Sequence, residues 1–289
     1  MVFHKIAEKI KAYGKLVMFS HTIFSFSFAL VSMVLAARGL PSLSTVFWIV
    51  VCFLGARTGA NAINRVIDAK IDAGNPRTAN RQIPKGEMKK GEVVAFTAFC
   101  FFLMLLGAYQ LNWLCFALSP VALFLLIIYS YTKRFTFLCH LILGVTCACA
   151  PIGAWLAVTG KFSLIPLVMG CANTLWVAGF DIIYGSQDYE FDKANGLHSI
   201  PVTFGVKYAL LIAMMFHIVT LLCLVVIGIL TPQFGVFYDI GLGIITVLFL
   251  AEYRMVSPDN LTHVNIASYS VNQLVSLTLL FFGLLDAFF

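Results

Sequence analysis

Charge is what this sequence has least of. Only 11% of its 289 residues are Asp, Glu, Lys or Arg, against about 25% in an ordinary soluble domain. A chain that is also 61% hydrophobic cannot cover a globular surface with polar groups. That excludes a soluble fold and leaves a polytopic membrane protein in contact with the lipid bilayer. Proline, glycine and serine do not gather into a linker, so a single domain over residues 1–289 is expected. The net charge of +6 is small, and no basic amphipathic stretch points to nucleic acid. The six His are scattered, and the eight Cys lie mostly inside apolar segments. Cys147 and Cys149 are the nearest pair, with no second pair or His ligand beside them. Neither a zinc site nor a disulfide framework follows, and the cysteines are read as small core hydrophobes. His140 and His217 are likewise read as packing. The apolar run after Lys5, Lys9, Lys11 and Lys15 is too long for the core of a cleaved signal, so it is expected to be the first spanning helix.

What the chain does have is long apolar runs. About 20 apolar residues cross the hydrocarbon, and such runs between polar breaks predict an all-α fold with nine transmembrane helices around a central cavity. They cover roughly 16–37, 43–67, 93–110, 112–131, 137–158, 163–184, 207–230, 234–252 and 266–288. With the N-terminus in the cytoplasm, the inner segments hold the N-terminal lysines, Lys70, Arg77, Arg81, Lys85, Lys89, Lys90, Lys133, Arg134, Lys193, Lys207 and Arg254. The outer loops hold only Arg38 and Lys161. This asymmetry is what the positive-inside rule expects, and it predicts cytoplasmic inner loops, with a bacterial inner membrane as the expected location. Two inner connections, about 73–92 and 185–206, are long and polar and are expected to form cap loops.

The scarce charges are concentrated. At ~100° per residue, Arg57, Asn61, Asn64, Arg65, Asp68 and Asp72 fall within about one third of a turn of a single helix. A charge facing lipid at the bilayer centre costs at least ~2.5 kcal/mol, so this stripe must face a polar cavity. A second acidic stretch follows later: Asp181, Asp188 and Asp192, spaced by seven and four, share a helix face with Tyr184 at its edge. The chain thus has two Asp-x-x-x-Asp pairs, Asp68/Asp72 and Asp188/Asp192, each at the end of a membrane helix. They hint at two related halves.

Two carboxylates one turn apart suit a hard cation, and oxygen-only ligands favour Mg²⁺ or Ca²⁺ over zinc. Mg²⁺ is commonly held by a few carboxylates together with substrate phosphate oxygens. Arg77, Arg81, Lys133 and Arg134 then fit as phosphate ligands. Acidic pairs, metals and a cationic loop beside an apolar interior point to a prenyl diphosphate, its tail lying between the helices.

The sequence resembles the UbiA-type intramembrane prenyltransferases. The resemblance is carried by Asn64-Arg65-x-x-Asp68-x-x-x-Asp72, by Asn75-Pro76-Arg77-Thr78-x-x-Arg81-x-Ile83-Pro84-x-Gly86, and by the Tyr129-Ser130-Tyr131-Thr132-Lys133-Arg134 turn. It continues in Asp181-x-x-Tyr184-x-x-Gln187-Asp188-x-x-x-Asp192 and in Gly196-x-x-Ser199-Ile200-Pro201-x-x-Phe204-Gly205. The chain departs from many members at Lys15–Thr22, where they carry an Arg-rich, Lys-Pro start, and at Gln187, where they carry Lys. Its Ser20-His21 version resembles the 4-hydroxybenzoate polyprenyltransferase-like branch, part of which works on dihydroxynaphthoates for menaquinone.

The resemblance implies Mg²⁺-dependent transfer of a polyprenyl group from its diphosphate to an aromatic carboxylic acid. That acid is 4-hydroxybenzoate, or else 1,4-dihydroxy-6-naphthoate, on a ubiquinone or menaquinone route. It implies metal binding by Asp68, Asp72, Asp188 and Asp192 with Asn64 beside them, and diphosphate binding by Arg77, Arg81 and Lys133. Asp181 would orient the cation or the acceptor, and Arg57 would suit the acceptor's carboxylate. Tyr129 and Tyr184 are further substrate contacts. A membrane transporter is the reading from another class, since intramembrane Asp and Arg also occur there. A non-catalytic lipid-binding scaffold is the third.

Overall fold

The computed structural model describes residues 13, 14, 16 and 26–289. Lys15, His21 and most of the first half of the predicted span 16–37 lie outside them. The described residues form helices and turns, with one isolated β-bridge, between Ser257 and Asn260. The helices are α1 (Ser27–Ala37), α2 (Leu43–Ile67), α3 (Ala69–Gly74), α4 (Lys90–Leu111), α5 (Trp113–Ile128) and α6 (Cys139–Thr159). They continue with α7 (Leu164–Gly185), α8 (Tyr189–Ala194), α9 (Ile200–Leu230), α10 (Val236–Met255) and α11 (Asn272–Phe288). Two 3₁₀ turns, Tyr129–Arg134 and Ser186–Asp188, follow α5 and α7, and a π-turn, Ile266–Val271, leads into α11.

Among the described residues, eight helical stretches are long and apolar enough to cross a membrane, and α1 lies in the remaining predicted span, 16–37. The chain is therefore an integral membrane protein. Its helices turn large apolar side chains outward as well as inward: Phe99, Phe102, Phe124, Leu250 and Phe281 are all exposed. A helix apolar all round fits lipid on one side and a packed core on the other.

The chain gathers into two compact units. The first holds Met1–Ile23 and Val46–Tyr131, the second Phe24–Thr45 and Thr132–Phe289. In the first, small residues set the helix spacing. A Cβ on Gly55 would meet the Cys100 carbonyl oxygen of α4 at 2.6 Å, and one on Gly107 would meet the Cys52 sulfur of α2 at 2.9 Å. One core there joins Ala60, Phe101, Met104 and Leu126. In the second, Gly144 of α6 abuts the backbone of Thr174 in α7 so closely that a Cβ has no room. Its main core runs from Phe28 and Val31 of α1 through Trp176 of α7 to Leu224, Ile245 and Leu279.

Two sequence expectations change here. The stripe from Arg57 to Asp72 is not one continuous helix, because α2 ends at Ile67 and Asp68 sits at the junction before α3. The predicted 185–206 loop is largely helical: it contains the Ser186–Asp188 turn, α8 and the start of α9, which is kinked at Gly205. Gly205 has φ 79° and ψ 157°, a conformation open to glycine and costly for other residues.

Candidate active site

The two acidic motifs are built alike. Asp68 has φ −89° and ψ 2° and precedes the six-residue α3. Asp188 has φ −92° and ψ 4° and precedes the six-residue α8. Each Asp therefore occupies a hinge where a membrane helix re-aims into a short one, and the bridge-region backbone is a conformation Asp tolerates. Four residues on, the second Asp of each motif points inward: Asp72 is 5% exposed and Asp192 is 2% exposed. The expected shared face of Asp181, Asp188 and Asp192 is interrupted, because the 3₁₀ turn at Ser186–Asp188 advances the chain by three residues per turn.

A buried carboxylate needs a partner, and each has a cation of its own. Arg81 Nη1 lies 2.7 and 2.8 Å from the two Asp72 carboxylate oxygens. Lys133 Nζ lies 2.9 Å from Asp192 Oδ2. In the first unit the Asn64 amide donates to Asp68 Oδ2 at 2.8 Å and to Ser130 Oγ at 3.2 Å. The Asp72 carbonyl accepts from Thr78 Oγ1, and the Arg77 N–H donates to Asn75 Oδ1. These bonds shape the turn that delivers Arg81, while Arg77 itself is exposed. In the second unit, the His198 N–H donates to the Lys133 carbonyl at 2.7 Å, which ties the basic turn to the segment after α8.

The other expected residues are more varied. The Tyr129 hydroxyl donates to the Ala60 carbonyl at 3.2 Å. Tyr184 packs edge-on against Tyr269, with ring centroids 4.8 Å apart. Arg57 is half-buried on α2, and its Nε is sealed without a hydrogen-bond partner among the described residues. Asp181 takes a partner that the sequence reading left as packing: His140 Nδ1, 2.7 Å from Asp181 Oδ2. His217 too is more than packing, since it lies 3.1 Å from the fully buried Glu252. Spacing could not have revealed either pair, because the partners sit on different helices.

These arrangements can hold a hard cation. The donors are carboxylate and amide oxygens, and within each unit no three His, Cys, Asp or Glu side chains form a closed cage among the described residues. Oxygen donors of this kind fit Mg²⁺, which keeps water and phosphate oxygens in its coordination. Arg81 and Lys133 pair with the innermost carboxylates, Asp72 and Asp192.

The UbiA prenyltransferase family model matches residues 25–277. This chain belongs to the UbiA prenyltransferase family. A 4-hydroxybenzoate octaprenyltransferase of Vibrio campbellii is 31% identical over 225 residues, covering 77% of this chain and 79% of that protein. Its counterpart from Neisseria meningitidis is 30% identical over 220 residues, 76% of this chain and 73% of that one. The apo structure of a UbiA homologue from Aeropyrum pernix K1 aligns with a TM-score of 0.84 at 29% identity, over 92% of this chain and 98% of the other. An Archaeoglobus fulgidus homologue, solved bound to GPP and Mg²⁺, shares the fold at a TM-score of 0.75 and 18% identity, over 96% and 99% of the two chains. As a UbiA-family protein the chain is a prenyltransferase, which sets the transporter and scaffold readings aside.

Proposed function

We propose that this UbiA-family enzyme transfers a polyprenyl group from prenyl diphosphate to a ring carbon of 4-hydroxybenzoate in quinone synthesis, with Mg²⁺. Its own acidic motifs carry the reading. Two hinge aspartates of matching backbone geometry each lead to a buried aspartate neutralised by a basic side chain. Asp68 and Asp72 would hold one Mg²⁺, with Asn64 steadying Asp68, and Asp188 and Asp192 would hold another. When bound, Mg²⁺ supplies Lewis-acid stabilisation of the leaving diphosphate.

The chain's own cations complete that work. Arg81 and Lys133 pair with Asp72 and Asp192, and with Mg²⁺ held by those carboxylates both side chains would serve as diphosphate ligands. Arg77, already exposed, joins them as a diphosphate ligand, so positive charge lies where negative charge develops. The sealed, unpartnered Nε of Arg57 supports a role in binding the acceptor's carboxylate, because an unmet buried donor is costly until a ligand meets it. Asp181 lies toward the acceptor. Tyr129 and Tyr184 line the substrate, and the acidic motifs and N-terminus face the cytoplasm.

The test is a product assay on membranes given a polyprenyl diphosphate with 4-hydroxybenzoate and 1,4-dihydroxy-6-naphthoate side by side. Prenylated 4-hydroxybenzoate and free diphosphate are expected, both abolished by EDTA and restored by Mg²⁺. Asp68→Ala is expected to lose at least ~100-fold in turnover while the protein still inserts and folds. Wild-type turnover in that variant would remove Asp68 from the metal site, and prenylated naphthoate alone would reassign the acceptor.

A further inference from the structure

His140 stands near the start of α6, buried, and its place is prepared from two points on α7. Asp181 Oδ2 lies 2.7 Å from its Nδ1. A carboxylate oxygen in this contact can only accept, so Nδ1 carries the proton and donates it. One turn further along α7, Gly185 makes the room: a Cβ there would come within 3.0 Å of His140 Cε1. The side chain of Asp181 nevertheless remains 27% exposed, and no other described residue hydrogen-bonds it. One carboxylate oxygen is held and the other is left for something outside the fold.

Asp181 also stands apart from the metal ligands. It precedes Asp188 by seven residues, roughly 10 Å of helical rise, whereas Mg²⁺ binds its oxygens at about 2.1 Å. It is therefore a carboxylate left free of metal, one level deeper than the diphosphate head. The reaction has a step that needs such a group. The bond from allylic carbon to diphosphate oxygen breaks, and its electron pair leaves with the diphosphate. A ring carbon of the acceptor supplies the electrons of the new C–C bond. That carbon then still carries its hydrogen, and aromaticity returns only when the C–H electron pair goes back into the ring and the proton departs.

We propose that Asp181 accepts this proton on the oxygen His140 leaves free, and that His140 is the positioning residue that keeps this oxygen turned to the acceptor. The inference rests on the aromatic-acid reading above. Its physical basis is alignment: a carboxylate turns easily about its last torsion, and a misplacement of about 1 Å in a reacting group can cost on the order of 100-fold in rate.

The experiment uses 4-hydroxybenzoate deuterated at the ring positions beside the hydroxyl. Wild-type enzyme is expected to turn over light and heavy substrate equally, because proton loss is fast once the C–C bond exists. His140→Leu is expected to lower kcat roughly tenfold or more, leave KM for the prenyl diphosphate unchanged, and reveal an isotope effect of about two or larger as proton removal becomes limiting. His140→Asn, which keeps an N–H donor near the Nδ1 position, should recover most of the rate and lose the isotope effect. Gly185→Ala crowds the imidazole in a helix that alanine favours, and should show a smaller isotope effect of the same kind. It keeps the test decisive if His140→Leu does not fold. Slow variants with no isotope effect, or a raised KM for the diphosphate at unchanged kcat, would overturn the assignment. A wild-type enzyme that prenylates neither 4-hydroxybenzoate nor 1,4-dihydroxy-6-naphthoate would overturn the aromatic-acid reading first, and this inference with it.

Discussion

Asp72 and Arg81 show how a buried carboxylate is held by a cation that itself stays partly exposed. Asp72 is nearly sealed, while Arg81 keeps about a quarter of its side chain exposed, so the cation has a way out and the carboxylate does not. Breaking a buried pair from one side costs ~3–5 kcal/mol in general, and the partial exposure of Arg81 places this one toward the lower end. Arg81→Ala should therefore lower the melting temperature of metal-free protein in detergent. Added Mg²⁺ should raise it by more than in wild type, since a ligand that binds only the folded state stabilises it. Equal Mg²⁺ shifts in both proteins would show that Arg81 is not standing in for the metal. Asp72 and Arg81 were both legible as site residues in the sequence, but their pairing was not. Nine residues separate them, and the turn built on Asn75 and Thr78 decides the geometry.

At the scale of elements, the second unit is held by a polar cluster inside an apolar bundle. Trp176 Nε1 of α7 donates to Asn272 Oδ1 of α11 at 2.6 Å, and the Asn272 amide donates to Glu252 Oε1 of α10 at 2.7 Å. His217 of α9 lies 3.1 Å from the other Glu252 oxygen and 2.9 Å from the Tyr253 hydroxyl. Four helices are thus keyed to one another by groups that lipid-like surroundings could not satisfy. Asn272 also donates to the Ala267 and Ser268 carbonyls, which ties its side chain to the π-turn that precedes it. Asn272→Leu strips Glu252 of its amide partner where the carboxylate is 0% exposed. The expected loss is on the order of 3 kcal/mol, read as a drop in thermal midpoint with no change in KM for either substrate. An unchanged midpoint would mean the cluster does not hold the bundle. The cluster is not legible in the sequence, because Trp176 and Asn272 are 96 residues apart, and each of its members looks locally like an isolated polar residue in a span.

Over the whole molecule, the distribution of basic residues predicts an orientation. Lys85 lies in the basic segment between α3 and α4, and Lys161 in the short connection between α6 and α7. Both are exposed. In a background with the eight native cysteines replaced, Lys85→Cys should react with a membrane-impermeant maleimide only when the cytoplasmic face is open. Lys161→Cys should react in intact cells. The reverse pattern would invert the orientation and move the acidic motifs to the outer face.

The spans were legible because crossing a bilayer is a local property. A run of about 20 apolar residues carries its own transfer free energy wherever it stands. The predicted 43–67 and 266–288 runs accordingly coincide with Leu43–Ile67 and Ile266–Phe288. The acidic motifs were legible for the same reason, since four-residue spacing on a helix is fixed by its pitch. The tertiary structure alone decided which cation each buried carboxylate takes, that Asp68 and Asp188 sit at hinges, and that His140 meets Asp181. Those choices join residues as far apart as 41 and 59 positions, and whether such groups meet depends on how helices pack, a quantity no local stretch of sequence contains.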